Sequence, residues 1–192
     1  MENITFEEIE ARSNTLMGID PNHTYQISYR HFVNYFDVAD ELTIEHLICG
    51  SNMAYGWMPR ILNYKNHEFE NSLRLLNDAK NGEILEDDQI ISLKNLFNNS
   101  FVGTSKILHF VNPSLYAIWD SKVYKFLVNY RRRSGANYIQ NFSPYLRLCR
   151  RLVDDPRFAD LQPEFEAHLG YEVSPMRKLE LIMFTNHNTP LR

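Results

Sequence analysis

Apolar residues recur at spacings of three and four along most of this chain, the periodicity of a helix with one buried face. Tyr29, Phe32, Val33 and Phe36 give one clear example. The helical segments predicted in this way cover residues 5–16, 25–36, 44–53, 68–79, 89–97, 105–111, 120–130, 144–153 and 176–184. A strand is the alternative for the first half of segment 25–36, where apolar and polar residues alternate. No other run favours strands, and no repeat or linker interrupts the chain. The pattern therefore predicts one compact all-α domain over residues 1–192.

Capping and turn residues define several predicted helix boundaries. Thr5 followed by Glu8 matches a capping box. Ser143-Pro144 and Ser174-Pro175 each combine a capping residue with proline at the first helical position. Between Tyr55 and Pro59, glycine and proline are helix breakers and predict an aromatic turn.

The most informative stretch covers residues 98–126. It predicts a tight turn centred on Gly103, a short helix, and an extended segment that brings Asp120 to the start of the next helix. In that arrangement the backbone N–H groups of Val102, Gly103 and Thr104 are exposed at a helix N-terminus, where phosphate binds readily. A phosphate site beside a carboxylate is consistent with an active site for nucleic acid, carried by residues 87–130.

Two motifs in this stretch resemble the signature of the helix-hairpin-helix DNA glycosylase superfamily. The first is the hairpin Phe101–Lys106, and the second is Asp120-Ser-Lys-Val-Tyr-Lys125. Val102, Gly103, Asp120, Val123 and Lys125 match the signature. The resemblance covers about 30 residues and implies two helical lobes around a cleft, with Asp120 as the essential carboxylate. It also permits a monovalent cation on the hairpin carbonyls, with no required cofactor.

The chain departs from the signature at two positions. Phe101 stands where the family usually has the first hairpin glycine, and Ser105 stands where members with lyase activity have a lysine nucleophile. Lys106 is one residue later and would point about 100° away around the helix. The resemblance therefore implies a monofunctional glycosylase. Lys106 is a weak catalytic candidate, with a phosphate contact or a solvated lysine as its alternatives.

The chemistry of base removal makes Asp120 a candidate catalytic residue. Positive charge develops on the sugar as the base leaves, and a nearby carboxylate stabilises it. Asp120 is also a favoured residue for capping its helix, and the two roles are compatible. An extruded base is held by aromatic stacking, so Tyr55, Trp57 and Trp119 are candidates for a base pocket. Packing into the core is the alternative for the Tyr55–Pro59 corner, and His109 is predicted to be buried and hydrogen-bonded.

The charge distribution favours DNA despite a net charge of −4. Residues 101–153 contain nine basic residues and one acidic residue. Such a local excess can bind phosphates on an acidic protein, although a solvated helix face is the alternative. The predicted DNA-binding residues are Val102, Gly103, Thr104, Ser105, Lys122, Lys125, Arg131, Arg132 and Arg133.

The remaining composition narrows the class of protein. No apolar run reaches the roughly 20 residues of a membrane span, and the acidic N-terminus does not resemble a signal peptide. Two cysteines, Cys49 and Cys149, suit a reducing cytoplasm, with a disulfide between them as the alternative. They are too few for an all-cysteine metal site. Asn186-His187-Asn188 is expected to be a disordered polar tail without a metal. We expect a cytoplasmic monomer that does not bind membranes.

Two functional hypotheses follow. The first is a DNA glycosylase that hydrolyses the bond between a modified or mispaired base and its sugar. The second is a non-catalytic helix-hairpin-helix module that binds DNA or, through the acidic remainder of the chain, a protein partner. The sequence does not identify the base, because aromatic side chains stack on all bases alike.

Overall fold

The computed structural model describes residues 4–128, 137 and 139–188. Its helices are α1 Phe6–Glu10, α2 Thr24–Asp37, α3 Ile44–Trp57, α4 Phe69–Lys80, α5 Asp87–Leu96, α6 Phe101–Val111, α7 Ser121–Leu127, α8 Ile139–Val153, α9 Phe165–Leu169 and α10 Pro175–Thr185. Two 3₁₀ segments occupy Ser13–Gly18 and Pro156–Phe158. The described residues form no strand, only an isolated bridge between Tyr64 and Phe97. The predicted all-α fold is confirmed.

Helix α6 lies at the centre of the fold. Every residue of α6 except the half-buried Val102 is buried. Helices α2, α3, α4 and α5 all pack against it. A helix that is largely apolar on all sides is stable only when neighbours cover it on all sides. Polar groups on α6 must therefore find partners inside the protein, and this requirement shapes the site described below.

The turn before α6 differs from the prediction. It occupies residues 97–100, where Asn98 and Asn99 have φ values of 55° and 54°, a left-handed conformation that asparagine tolerates. Ser100 caps α6 by accepting a hydrogen bond from the N–H of Gly103 at 3.2 Å. Gly103 thus lies inside α6, and the prediction of a turn centred on it is wrong.

Other helix boundaries also differ from the sequence expectations. Helix α3 continues through Trp57, so the first three residues of the predicted aromatic turn, Tyr55 to Trp57, are helical, and only Met58 and Pro59 form a turn. Helix α8 begins at Ile139 and contains Pro144, instead of beginning at the proline. Asn186 is buried, and its amide donates to the carbonyl oxygens of Arg12 and Ile182. The prediction of a disordered tail is therefore wrong for Asn186, which these contacts fix to the fold.

Gly103 is required by packing, which gives a first prediction. A Cβ at this position would overlap the hydroxyl and ring of Tyr55, with 2.6 Å to Cζ. Tyr55 cannot move freely because its hydroxyl donates to the carbonyl of Phe97 at 2.8 Å. We expect Gly103→Ala to lower the free energy of unfolding by about 1–3 kcal/mol in a urea titration.

Gly56, also in a helix, is the matched control for Gly103. No described heavy atom outside its own helix and its neighbours lies within 4 Å of the position that its Cβ would occupy. Gly56→Ala should therefore stabilise the protein by about 0.5–1 kcal/mol, because alanine loses less backbone entropy on folding. Stabilisation by both substitutions would contradict the packing role of Gly103.

Within the described residues, the helices are too short or too polar to cross a membrane.

Candidate functional site

A cavity of about 870 Å³ opens at the surface and reaches the side of α6. Aromatic side chains form part of its wall, among them Tyr25, Trp57 and Phe184. Two acidic and five basic residues also line it: Asp120, Glu180, Arg60, Lys65, Lys106, Lys122 and Arg177. This size and mixture of apolar walls with a few polar groups are typical of ligand-binding sites.

Asp120 reaches the cavity on an extended segment that is fixed to α6. Ser105 makes the connection, because its Oγ accepts from the N–H of Trp119 at 2.9 Å, while its own proton has the carbonyl oxygens of Val102 at 3.0 Å and Trp119 at 3.2 Å as acceptors. Asp120 then caps α7, with its Oδ1 accepting from the N–H of Lys122 at 2.8 Å. The predicted capping role of Asp120 is confirmed, and the cap fixes the direction of its carboxylate.

Lys106 lies beside this carboxylate. Its Nζ is 3.6 Å from Oδ2 of Asp120, and the lysine side chain is 7% exposed. Burial lowers the pKa of Lys106, while the negative charge of Asp120 acts in the opposite direction. The expectation that Lys106 is turned away from the cleft is wrong. Ser105 faces the backbone of Trp119. The next residue, Lys106, lies about 100° further around the helix and lines the cavity.

A second pair of charges, on α10, was missed by the sequence analysis. Arg177 and Glu180 form a buried ion pair through Nη1 and Oε2. Burial raises the pKa of Glu180, and Arg177 opposes that effect. The available signal was the i, i+3 spacing of opposite charges in a helix whose other residues are mostly apolar. That spacing is common on solvated helices, so it did not distinguish a buried pair.

The predicted phosphate site of exposed amides is absent from the described structure. Gly103, Thr104 and Ser105 are buried. The N–H of Gly103 donates to Oγ of Ser100, and that of Thr104 donates to the Ser100 carbonyl oxygen. These groups cannot bind phosphate because α6 starts before them and is covered. The prediction for these three residues is therefore wrong, whereas Val102 is half-buried and lines the cavity.

The positive charge at the cavity comes from several parts of the chain. Lys122 lies over the ring of Phe184, with 4.3 Å between Nζ and the ring centroid. Arg60 and Lys65 are exposed, line the cavity and precede the basic region of residues 101–153. Lys125 is exposed and is not among the lining residues. Arg131, Arg132 and Arg133 lie outside the described residues.

Two of the three predicted base-pocket residues line the cavity. Trp57 does so from the end of α3, and Tyr55 does so with its hydroxyl bound to Phe97. Trp119 is fully buried, with its ring centroid 4.8 Å from that of Tyr145. Its assignment to the pocket is wrong because the extended segment turns Trp119 into the core and Asp120 outward.

His109 is buried beneath the site, as predicted. Its Nδ1 lies 2.5 Å from the carbonyl oxygen of Tyr116, which can only accept, so Nδ1 carries the proton. Its Nε2 consequently accepts from the hydroxyl of Tyr29 at 2.8 Å. Burial lowers the pKa of His109 to about 3. The imidazole is therefore neutral at physiological pH and serves as a structural link between α2 and α6.

This depressed pKa predicts a pH-dependent stability. In the folded protein His109 stays neutral, but in the unfolded chain it binds a proton below its ordinary value of 6.5. Acid thus favours the unfolded state as the pH falls from 6.5 towards 3, and His109 contributes a loss of roughly 1.4 kcal/mol per pH unit in that window. We expect urea titrations at several pH values to show that the free energy of unfolding falls less steeply with decreasing pH in His109→Gln than in the wild type. Equal slopes would contradict the assignment.

Both cysteines are free thiols, with Cys49 exposed and Cys149 buried. Among the residues that the structure describes, no group of three or more His, Cys, Asp or Glu side chains could hold a metal ion. No protein-family model, curated protein or solved structure matches this chain. The functional assignment therefore depends on the cavity and the side chains that line it.

Proposed function

We propose that this protein is a DNA glycosylase, with Asp120 and Lys106 as its catalytic residues. The observation that carries the proposal is the 3.6 Å approach of the Lys106 amine to the Asp120 carboxylate, in a cavity with aromatic walls. An amine and a carboxylate held together can exchange a proton during attack on a sugar carbon. The resemblance of the Asp120–Lys125 segment to the carboxylate motif of the glycosylases supports the same assignment.

The distribution of charge suits an extruded nucleotide. Arg60 and Lys65 are exposed, and Lys122 is half-buried, so these cations can contact the phosphates that flank the extruded base. The aromatic wall that includes Trp57 and Phe184 offers surfaces for the base itself.

The position of Lys106 changes the expected chemistry from direct hydrolysis to amine catalysis. The lone pair of Nζ attacks C1′, and the bond from C1′ to the base breaks, with the base leaving on its electron pair and taking a proton from solvent. Asp120 accepts the proton that Nζ loses. The nitrogen lone pair then forms a C=N bond while the C1′–O4′ bond breaks, and O4′ takes the proton from Asp120. The lowered pKa of Lys106 favours the neutral amine that this step needs.

A panel of duplexes tests the proposal directly. Each duplex carries one damaged, mispaired or hypermodified base, and free base is measured by chromatography after incubation with the protein. Release of at least one base, at a rate that depends on Asp120, is the expected result. DNA binding without release of any base would contradict the proposal and favour the non-catalytic module.

A further inference from the structure

The guanidinium of Arg177 is buried and has a donor without a partner in the described chain. The residue is 3% exposed and forms part of the cavity wall. Among the described residues, its Nη1 donates to Glu180, while its Nε has no acceptor. The indole Nε1 of Trp57, in the same wall, is a second buried N–H without an acceptor in the described chain. Buried donors usually have partners, so two in one wall point to a ligand that supplies acceptors.

The guanidinium is also fixed in orientation. Its central carbon lies 4.7 Å from the ring centroid of Tyr29 and 5.5 Å from that of Trp57. Glu180 holds Nη1 from one turn further along α10. A planar donor constrained by two rings and a carboxylate can discriminate between acceptors, because it cannot reorient to suit a different ligand.

The balance of buried charge indicates a neutral ligand. The basic side chains of Lys106 and Arg177 are opposed by the carboxylates of Asp120 and Glu180, so the inner cavity has no excess of positive charge whether the Lys106 amine is protonated or neutral. A phosphate placed there would approach two carboxylates. A neutral, planar molecule with a carbonyl oxygen would satisfy the free donors without that repulsion.

We propose that Arg177, held by Glu180, donates a hydrogen bond to the carbonyl oxygen at C4 of a pyrimidine or C6 of a purine, and so selects bases with this oxygen over bases with an amino group there. The inference rests on the proposed function and names its substrate class. Keto bases such as uracil and hypoxanthine are accepted, whereas their amino counterparts cytosine and adenine place an N–H₂ group against a donor. The indole N–H of Trp57 is the second donor and can bind another acceptor atom of the same base.

Binding tests this selection without depending on turnover. The protein carrying Asp120→Asn, in which we expect the base to stay attached, is titrated with fluorescent duplexes that contain hypoxanthine or adenine opposite an abasic analogue. Neither base is paired, so the two duplexes differ only at C6 and the adjacent N1 of the unpaired base. We expect about tenfold or greater preference for hypoxanthine, and the same preference for uracil over cytosine.

Variants of Arg177 locate the discrimination. Arg177→Met, in the same Asp120→Asn protein, should reduce the preference to about twofold or less while binding of a duplex without the target base is unchanged. Arg177→Met leaves Glu180 buried and unpaired and can unfold the protein. If circular dichroism shows that it is unfolded, the double variant Arg177→Met with Glu180→Met replaces it in the same measurement. Arg60→Met is the matched control, since loss of an exposed cation should weaken binding of both duplexes equally.

The outcomes separate this inference from the proposed function. Equal affinities for hypoxanthine and adenine, or discrimination that survives both Arg177 variants, would overturn the selection by Arg177. Discrimination that disappears with Arg177 supports it, even if the wild-type protein releases no base and the glycosylase proposal fails. Base release with equal affinities would leave the glycosylase proposal standing and the selection refuted.

Discussion

Asp120→Asn should reduce base release by roughly 10²–10⁴-fold while DNA affinity stays within a few fold. Asparagine caps a helix about as well as aspartate, so α7 should keep its start and its bond from the N–H of Lys122. The substitution removes the negative charge beside Lys106 and the group that accepts its proton. Single-turnover release of the free base measures the loss, and fluorescence anisotropy measures the affinity.

Asp155 gives a matched control for this substitution. It also caps a short helical segment, with Oδ1 accepting from the N–H of Arg157 at 3.0 Å, and it does not line the candidate site. Asp155→Asn should leave base release unchanged. Full turnover in Asp120→Asn would remove this carboxylate from the mechanism, whatever the effect of Asp155→Asn.

Borohydride should trap a covalent complex between the wild-type protein and a substrate duplex, and Lys106→Gln should eliminate it. The imine between Nζ and the sugar is the species that borohydride reduces to a stable crosslink, and glutamine has no amine that can form it. Lys106 is suited to this reaction because burial lowers its pKa and Asp120 lies within reach of its proton. Denaturing gel electrophoresis detects the crosslinked species.

Lys122→Gln is the control, since Lys122 also lines the cavity but lies over Phe184. It should retain trapping with weaker DNA binding. A crosslink that persists in Lys106→Gln would assign the nucleophile to another amine. Base release with no trapping in the wild type would restore the hydrolytic, monofunctional mechanism that Ser105 had suggested.

The sequence determined the all-α fold and the local position of Asp120. Helical periodicity is repeated over many residues, so errors at single positions do not change the class of fold. The extended segment before Asp120 and the cap that Asp120 makes on α7 depend only on neighbouring residues, so both can be predicted from the local sequence. Ser174-Pro175 likewise marks the start of α10.

Which side chains meet in the cavity depends on long-range packing. The asparagine turn at residues 97–100 starts α6 at Phe101, and a change of one residue in helical register rotates a side chain by about 100°. That rotation brings Lys106 to the cavity and directs Ser105 to the backbone of Trp119. The Arg177–Glu180 pair reaches the same cavity through the packing of α10 on distant parts of the chain. Such long-range packing has no local signature, because it depends on how all the buried faces fit together.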